Sequence, residues 1–268
     1  MINWKQDFRL LAFIQLVLGF FMLFPTLMAV YLKEEAALQG FLVAYGVMAV
    51  FCALVFYLTR NIENHTLGSR DGYLFVTFTW IIATTISAIP LVASGSYVNY
   101  SSAFFEIMSG FTTTSATVLP EIESLPKSIL FWRSETNWLG GMGIVVLFVV
   151  LLPALGVSGT LLVGAESVGP TKDKLTPKIK TTAAILWSIY LLFSLLETVL
   201  LKLGGLSLYD AVTVTFSTMA AAGFCVKNSS IGTFSSAYVD IVVTIFMMIA
   251  GANFALYYKA FSGRFKSV

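Results

Sequence analysis

Apolar residues recur along this chain in long runs rather than in short amphipathic stripes. Six stretches carry about 20 mainly apolar residues, the length a helix needs to cross a bilayer: roughly 10–32, 39–59, 73–93, 138–160, 181–203 and 239–260. Two shorter stretches, about 101–114 and 208–222, are apolar but include Ser, Thr and one acid each. They are too short to span, and their polar content predicts re-entrant helices facing protein or water at membrane depth. The first run is too long for a signal-peptide core, and no small-residue cleavage site follows it.

The pattern also repeats. Displaced by 108 positions, 73–160 overlies 181–268, so Ala103 meets Ala211, Ser109 meets Ser217, Ser115 meets Gly223 and Val118 meets Val226. Identity is sparse, but the order of span, short helix, turn and span recurs intact. The organisation expected is a two-helix hairpin over 1–60, a first pore repeat over 61–160 and a second over 161–268. Each repeat holds an even number of spans, so both share one orientation and enclose a path along the membrane normal. The fold class is therefore all-α membrane protein, with six transmembrane helices and two re-entrant pore helices.

Composition narrows the class. Charged residues are 11% of 268, hydrophobic residues 57%, and the mean hydropathy is +0.86. A soluble domain carries about 25% charge, so an ordinary soluble protein is excluded. The placement of charge says more than the net +2. Eleven Lys and Arg fall on one side of the predicted spans (Lys5, Arg9, Arg60, Arg70, Lys172, Lys174, Lys178, Lys180, Lys259, Arg264, Lys266) and five on the other (Lys33, Lys127, Arg133, Lys202, Lys227). The positive-inside rule then puts both termini in the cytoplasm of a multi-pass cell-membrane protein. The pore helices enter from outside.

Catalysis finds no support. The one histidine, His65, lies in a loop, and Cys52 and Cys225 are too far apart for a metal or redox motif. Gly156-Val157-Ser158-Gly159 matches the string around an intramembrane protease serine, yet no other span supplies a base. The sequence offers no nucleotide-binding glycine loop, and no cofactor or nucleic acid is expected.

The chemistry lies in the two turns. The first reads Ser109-Gly110-Phe111-Thr112-Thr113-Thr114-Ser115-Ala116-Thr117-Val118, the second Ser217-Thr218-Met219-Ala220-Ala221-Ala222-Gly223-Phe224-Cys225-Val226. Each follows a helix whose C-terminal partial negative charge favours a cation. The strand beyond can aim backbone carbonyls at an ion in place of its water shell. The expected filter is Thr112, Thr113, Thr114 and Ser115 with Ala220, Ala221, Ala222 and Gly223, holding K+ or Na+. Gly223 is expected to use its freedom at positive φ.

The strings SGFTTTSATVLPEIESLPKSILFWRSETNWLGGMGIVVL, GPTKDKLTPKIKTTAAILW, FSTMAAAGFCVKNSSIGTF and GANFALYYKAFSGRF resemble the Trk/Ktr/HKT family of K+ and Na+ transporters, most of all its TrkH branch. The resemblance covers essentially the whole chain. It implies membrane helix–pore helix–membrane helix units, a filter among four pore loops, and gating by cytosolic nucleotide-binding ring proteins. The sequence departs from that pattern twice. Ser115 stands where the family has glycine, a place where serine accompanies sodium preference in the plant branch. The chain also carries two repeats rather than four. A homodimer, a partner chain with the other half, or a non-conducting half-pore remain open.

Other polar residues read as supports. Glu106, mid-helix, raises cation concentration in the outer vestibule or pairs with Arg133, which ties the loop behind the first filter strand through Glu106 or Glu135. Asp210 reads as a helix-start charge. Glu121, Glu123 and Glu135 read as solvated surface. Glu197 is either a vestibule site or a group paired or snorkelling near the outer end of its span. Trp132, Trp138 and Trp187 are interface or packing anchors, and Gly140, Gly141 and Gly143 permit close helix contact. The lysines at 172–180 face lipid headgroups or a regulatory partner.

Overall fold

The computed structural model describes residues 4–60, 69–143 and 179–252, with 254 and 257. Among these every regular element is helical. In chain order they are α1 Trp4–Leu32, α2 Glu35–Leu58, α3 Ser69–Ser87, α4 Ile89–Ala93, α5 Tyr100–Phe111, α6 Lys127–Gly141, α7 Ile179–Leu203, α8 Leu208–Met219 and α9 Ala237–Gly251, with a 3-10 turn at Ser230–Phe234 before α9. Four stretches are long and apolar enough to cross a bilayer: Trp4–Leu32, Glu35–Leu58, Gly72–Ala93 and Ala183–Leu203.

The fourth predicted span differs from expectation. Its helix starts at Lys127, well before 138, and stops at Gly141; Gly143 then turns at φ 65°. The rest of that stretch lies outside the described residues. So do the lysines at 172–180, the Gly156–Gly159 string, His65 and the basic stretch 259–266. The early start has a local cause. Pro126 turns the chain, and α6 has no side-chain cap of its own. Glu34, in the α1–α2 turn, supplies one from a distance. Its carboxylate accepts from the Lys127 N–H at 2.8 Å, the Ser128 N–H at 3.0 Å and the Ser128 hydroxyl. A carboxylate at a helix N-terminus satisfies orphan donors and opposes the helix dipole. Glu34→Ala is expected to cost about 1–2 kcal/mol, read as a lowered thermal midpoint in detergent.

The hairpin α1–α2 packs against α3, α4 and α6. Close approach of α2 to α4 needs Gly40, where a Cβ would sit 2.6 Å from the Pro90 carbonyl oxygen. Pro90 also explains the break between α3 and α4. The Leu91 N–H turns to Ala88, which leaves the Ser87 carbonyl free, and the Trp132 indole donates to it at 3.0 Å.

Two short helices agree at the 108-residue displacement. Helix α5 and helix α8 are each 12 residues long, and their limits coincide after the shift of 108. Each packs on the helix before it and the helix after it. Helix α6 departs from this symmetry, because it touches both α5 and α8, whereas of these two short helices α9 packs closely on α8. It is the axis on which both short helices rest.

Candidate ion-filter site

The two turns close in the same way. Helix α5 ends as the Thr112 N–H bonds Met108 O, Thr113 bonds Gly110 O, and Thr114 bonds Ser109 O. Helix α8 ends as Ala220 bonds Phe216 O, Ala221 bonds Thr218 O, and Ala222 bonds Ser217 O. Thr113 and Ala221, partners in the repeat, sit at φ 55° and 50°. Each turn thus reverses out of its helix on a left-handed residue that lacks glycine's freedom. The sequence expectation for Gly223 is corrected here, since its φ lies outside the left-handed region. The strained residue at that level is its counterpart Ser115, at φ 56°.

Ser115 spends its hydroxyl on a crossing between repeats. Its Oγ accepts from the Gly223 N–H at 2.7 Å and from Asn137 Nδ2 at 3.0 Å. The two predicted filter segments therefore meet edge to edge. Around that meeting point Thr112, Thr114, Ala221 and Gly223 are exposed, Thr113, Ser115 and Ala222 half-buried, and Ala220 buried. The polypeptide behind them is packed, with Phe111, Phe224, Cys225 and Val226 all buried.

Glu106 and Arg133 hold this arrangement from behind. Arg133 Nε donates to Glu106 at 2.6 Å, with the two side chains 1% and 0% exposed. The other Glu106 oxygen accepts from the Val118 N–H at 3.2 Å, beyond the first filter strand. Arg133 Nη1 donates to the Cys225 carbonyl at 3.0 Å, beyond the second, and the guanidinium lies 3.6 Å from the Phe224 ring centroid. One ion pair thus fastens both loops. The pairing with Glu106 matches the sequence expectation; the reach into the second loop was not legible there. Glu106 faces no vestibule. It is a buried acceptor, and burial without Arg133 would leave its charge uncompensated.

Two glycines bring the backbones together. A Cβ on Gly140 would overlap the Phe111 carbonyl at the end of α5. One on Gly141 would lie 2.6 Å from Ala220 Cα and 2.8 Å from the Tyr190 hydroxyl. Consecutive glycines of α6 therefore back the ends of α5 and α8.

Other expectations resolve as follows. Ser207 and Asp210 cap α8 reciprocally, the Asp210 N–H bonding Ser207 Oγ at 3.1 Å and that hydroxyl bonding the Asp210 carboxylate. Glu121 and Glu123 lie on exposed loops, in line with a solvated surface. There they clasp the second repeat through Asn228 and Lys227. The Asn228 N–H and Lys227 hold the Glu123 carboxyl below its ordinary range. Glu135 is corrected from surface to interior, since it is 2% exposed. Glu197 is 0% exposed, so it lies inside the packed helices and neither snorkels nor faces an open vestibule. The tryptophans are packing anchors. Trp138 donates to Ser194 at 3.0 Å and stacks near Trp187, Tyr190 and Phe216.

Comparison with known proteins fits this architecture. The family model described as TrkH, cation transport protein, matches residues 38–268. The chain belongs to the TrkH cation transport protein family. It is 36% identical over 262 residues to the Trk system potassium uptake protein TrkH of Vibrio parahaemolyticus, covering 97% of this chain and 54% of that protein. Against the Escherichia coli TrkH the identity is 37% over 258 residues, covering 96% and 53%. Against the E. coli TrkG it is 36% over 243 residues, covering 90% and 50%. The crystal structure of the potassium transporter TrkH from V. parahaemolyticus superposes with a TM-score of 0.81 at 33% identity, covering 98% of this chain and 53% of that one. The chain spans about half the length of the curated relatives it matches. Its apolar helices and its TrkH relatives make it an integral membrane protein.

Proposed function

We propose that this chain supplies two pore units of a monovalent cation uptake pathway, with K+ or Na+ passing between Thr112–Ser115 and Ala220–Gly223. One observation carries the reading. Two pore helices of equal length end on the same turn, and the strands beyond them meet through the Ser115–Gly223 hydrogen bond. The helix C-termini bias that meeting point toward a cation, and carbonyls of the strands replace its water shell. The relatives' names as potassium uptake proteins support the same class of cargo. The ion is substrate, and no resident cofactor enters the reading.

The finer architecture belongs to this proposal. It comprises six spans with two pore helices, units at 1–60, 61–160 and 161–268, and both termini in the cytoplasm. Two loops cannot ring an ion fourfold. The path needs two more, whether from the rest of a longer chain, from a second copy or from a partner bearing the other half. The lysines at 172–180 offer a cytosolic nucleotide-binding regulatory subunit a docking loop.

The test is tracer flux of K+ and of Na+ in proteoliposomes, on wild type and Ser115→Gly. The glycine variant relieves about 1–2 kcal/mol of left-handed strain and removes the hydroxyl crossing. Its expected result is a changed K+/Na+ ratio with flux retained. An unchanged ratio would move the filter away from Ser115.

A further inference from the structure

Asn137 is buried on the central helix α6, four residues after Arg133 and behind both filter segments. Its amide nitrogen has two N–H groups, and each finds a serine. One donates to Ser115 Oγ at 3.0 Å, the other to Ser217 Oγ at 3.3 Å. The orientation of the amide follows from the serines' own commitments. The Ser217 hydroxyl donates to the Phe224 carbonyl, so its oxygen is left to accept. Ser115 Oγ already accepts from the Gly223 N–H. Asn137 Oδ1 has no hydrogen-bond partner among the described residues, so the side chain is placed by its donors alone.

The repeat makes this residue singular. At the matching position of α9 stands Ile245, and at the position matching Arg133 stands Ile241; both are exposed. A carboxamide that reaches the end of one pore helix and the filter strand of the other thus occurs in one repeat and not in its counterpart. Ser217 lies at the end of α8, where its carbonyl receives the Ala222 N–H. Ser115, like Thr113, is a left-handed residue of the first loop. A single amide therefore links the first loop to the end of the second short helix.

We infer that Asn137 is a positioning residue for ion discrimination: by donating to Ser115 and Ser217 together it fixes the spacing of the carbonyls that replace the ion's water shell. The inference rests on the cation-path reading above and names the residue that gives that path its selectivity. Asn137 does not touch the ion. It acts through the two hydroxyls, and this separates it from Arg133, which holds the loops farther from their meeting point.

The test uses the full chain with K+ and Na+ salts as the probes. Thermal midpoints are measured in each salt, and tracer flux of each ion in proteoliposomes, for wild type, Asn137→Leu, Ser115→Gly and the double variant. Asn137→Leu keeps the shape and removes both donors. Loss of one or two such bonds is expected to shift the K+/Na+ preference about fivefold or more. The same change made in Ser115→Gly is expected to shift it much less, because its principal partner is gone. A purely structural role would lower the midpoint equally in both salts and leave the preference intact, and that result overturns the inference. If Asn137→Leu does not fold, Ser217→Ala removes one of the two links with little change in volume, and an unchanged preference there overturns it likewise. A wild type that responds identically to both salts and, when co-reconstituted with the second half of a full-length TrkH relative, passes neither ion refutes the cation path itself, and the inference with it.

Discussion

Replacing Arg133 with methionine is expected to destabilise the protein by about 3–5 kcal/mol, the usual consequence of stranding one member of a buried ion pair. The side chain removed is 1% exposed and makes three contacts of different kinds: the Glu106 carboxylate, the Cys225 carbonyl and the face of Phe224. Methionine fills the volume but leaves a carboxylate with no counter-charge in the interior. It also leaves the second loop's carbonyl unpaired. The expected readout is a thermal midpoint lowered by many degrees, with loss of cation flux. A control separates the charge from the packing. Glu106→Leu combined with Arg133→Met removes both charges, and most of the lost stability is expected to return, because the desolvation cost of the pair disappears with it. Flux is not expected to return, since Val118 and Cys225 then lose the groups that hold them. If the double variant were as unstable as Arg133→Met alone, the ion pair would not be the main support of the loops.

The second large effect is expected from a single methyl group. Gly141→Ala places a carbon 2.6 Å from Ala220 Cα and 2.8 Å from the Tyr190 hydroxyl. Gly140→Ala drives one into the Phe111 carbonyl. Overpacking in a tight interior costs about 1–3 kcal/mol. Here the upper end is expected, because the obstructing atoms are largely backbone and cannot rotate away. Gly46→Ala, with open space around the added atom, is the control and is expected to keep the wild-type midpoint. Flux should fall more steeply than stability in Gly141→Ala, since Ala220 opens the second filter segment and must move first. Equal behaviour of Gly46→Ala and Gly141→Ala in both assays would dissociate α6 from the filter.

Much of the architecture was legible in the residues because membrane segments declare themselves by length and polarity. The two short helices are the clearest case. Two apolar stretches too short to span, with Ser and Thr at their ends, became 12-residue helices whose limits agree after the 108-residue shift. Asp210 was legible as a helix-start charge because it stands near the beginning of its apolar stretch, a local signal, and the structure adds Ser207 as its capping partner. Local signals misled where partners were distant. Glu135 read as surface from its neighbours in sequence, and the fold put it inside. The α6 start at Lys127 was missed because the capping carboxylate, Glu34, is 93 positions away.

The sequence alone determined that the chain lives in a membrane and that a short apolar helix followed by a small or polar turn occurs twice, 108 positions apart. These are matters of composition, period and order, and they need no knowledge of contacts. Only the tertiary structure decided that Ser115, rather than Gly223, takes the left-handed backbone at the meeting of the two strands. It alone showed that α6 serves both loops through Arg133, Asn137, Gly140 and Gly141. The physical reason is that these are distances between segments remote in the chain. Hydrogen bonds and van der Waals limits act through space, and a one-dimensional pattern records which groups are available without recording which of them meet.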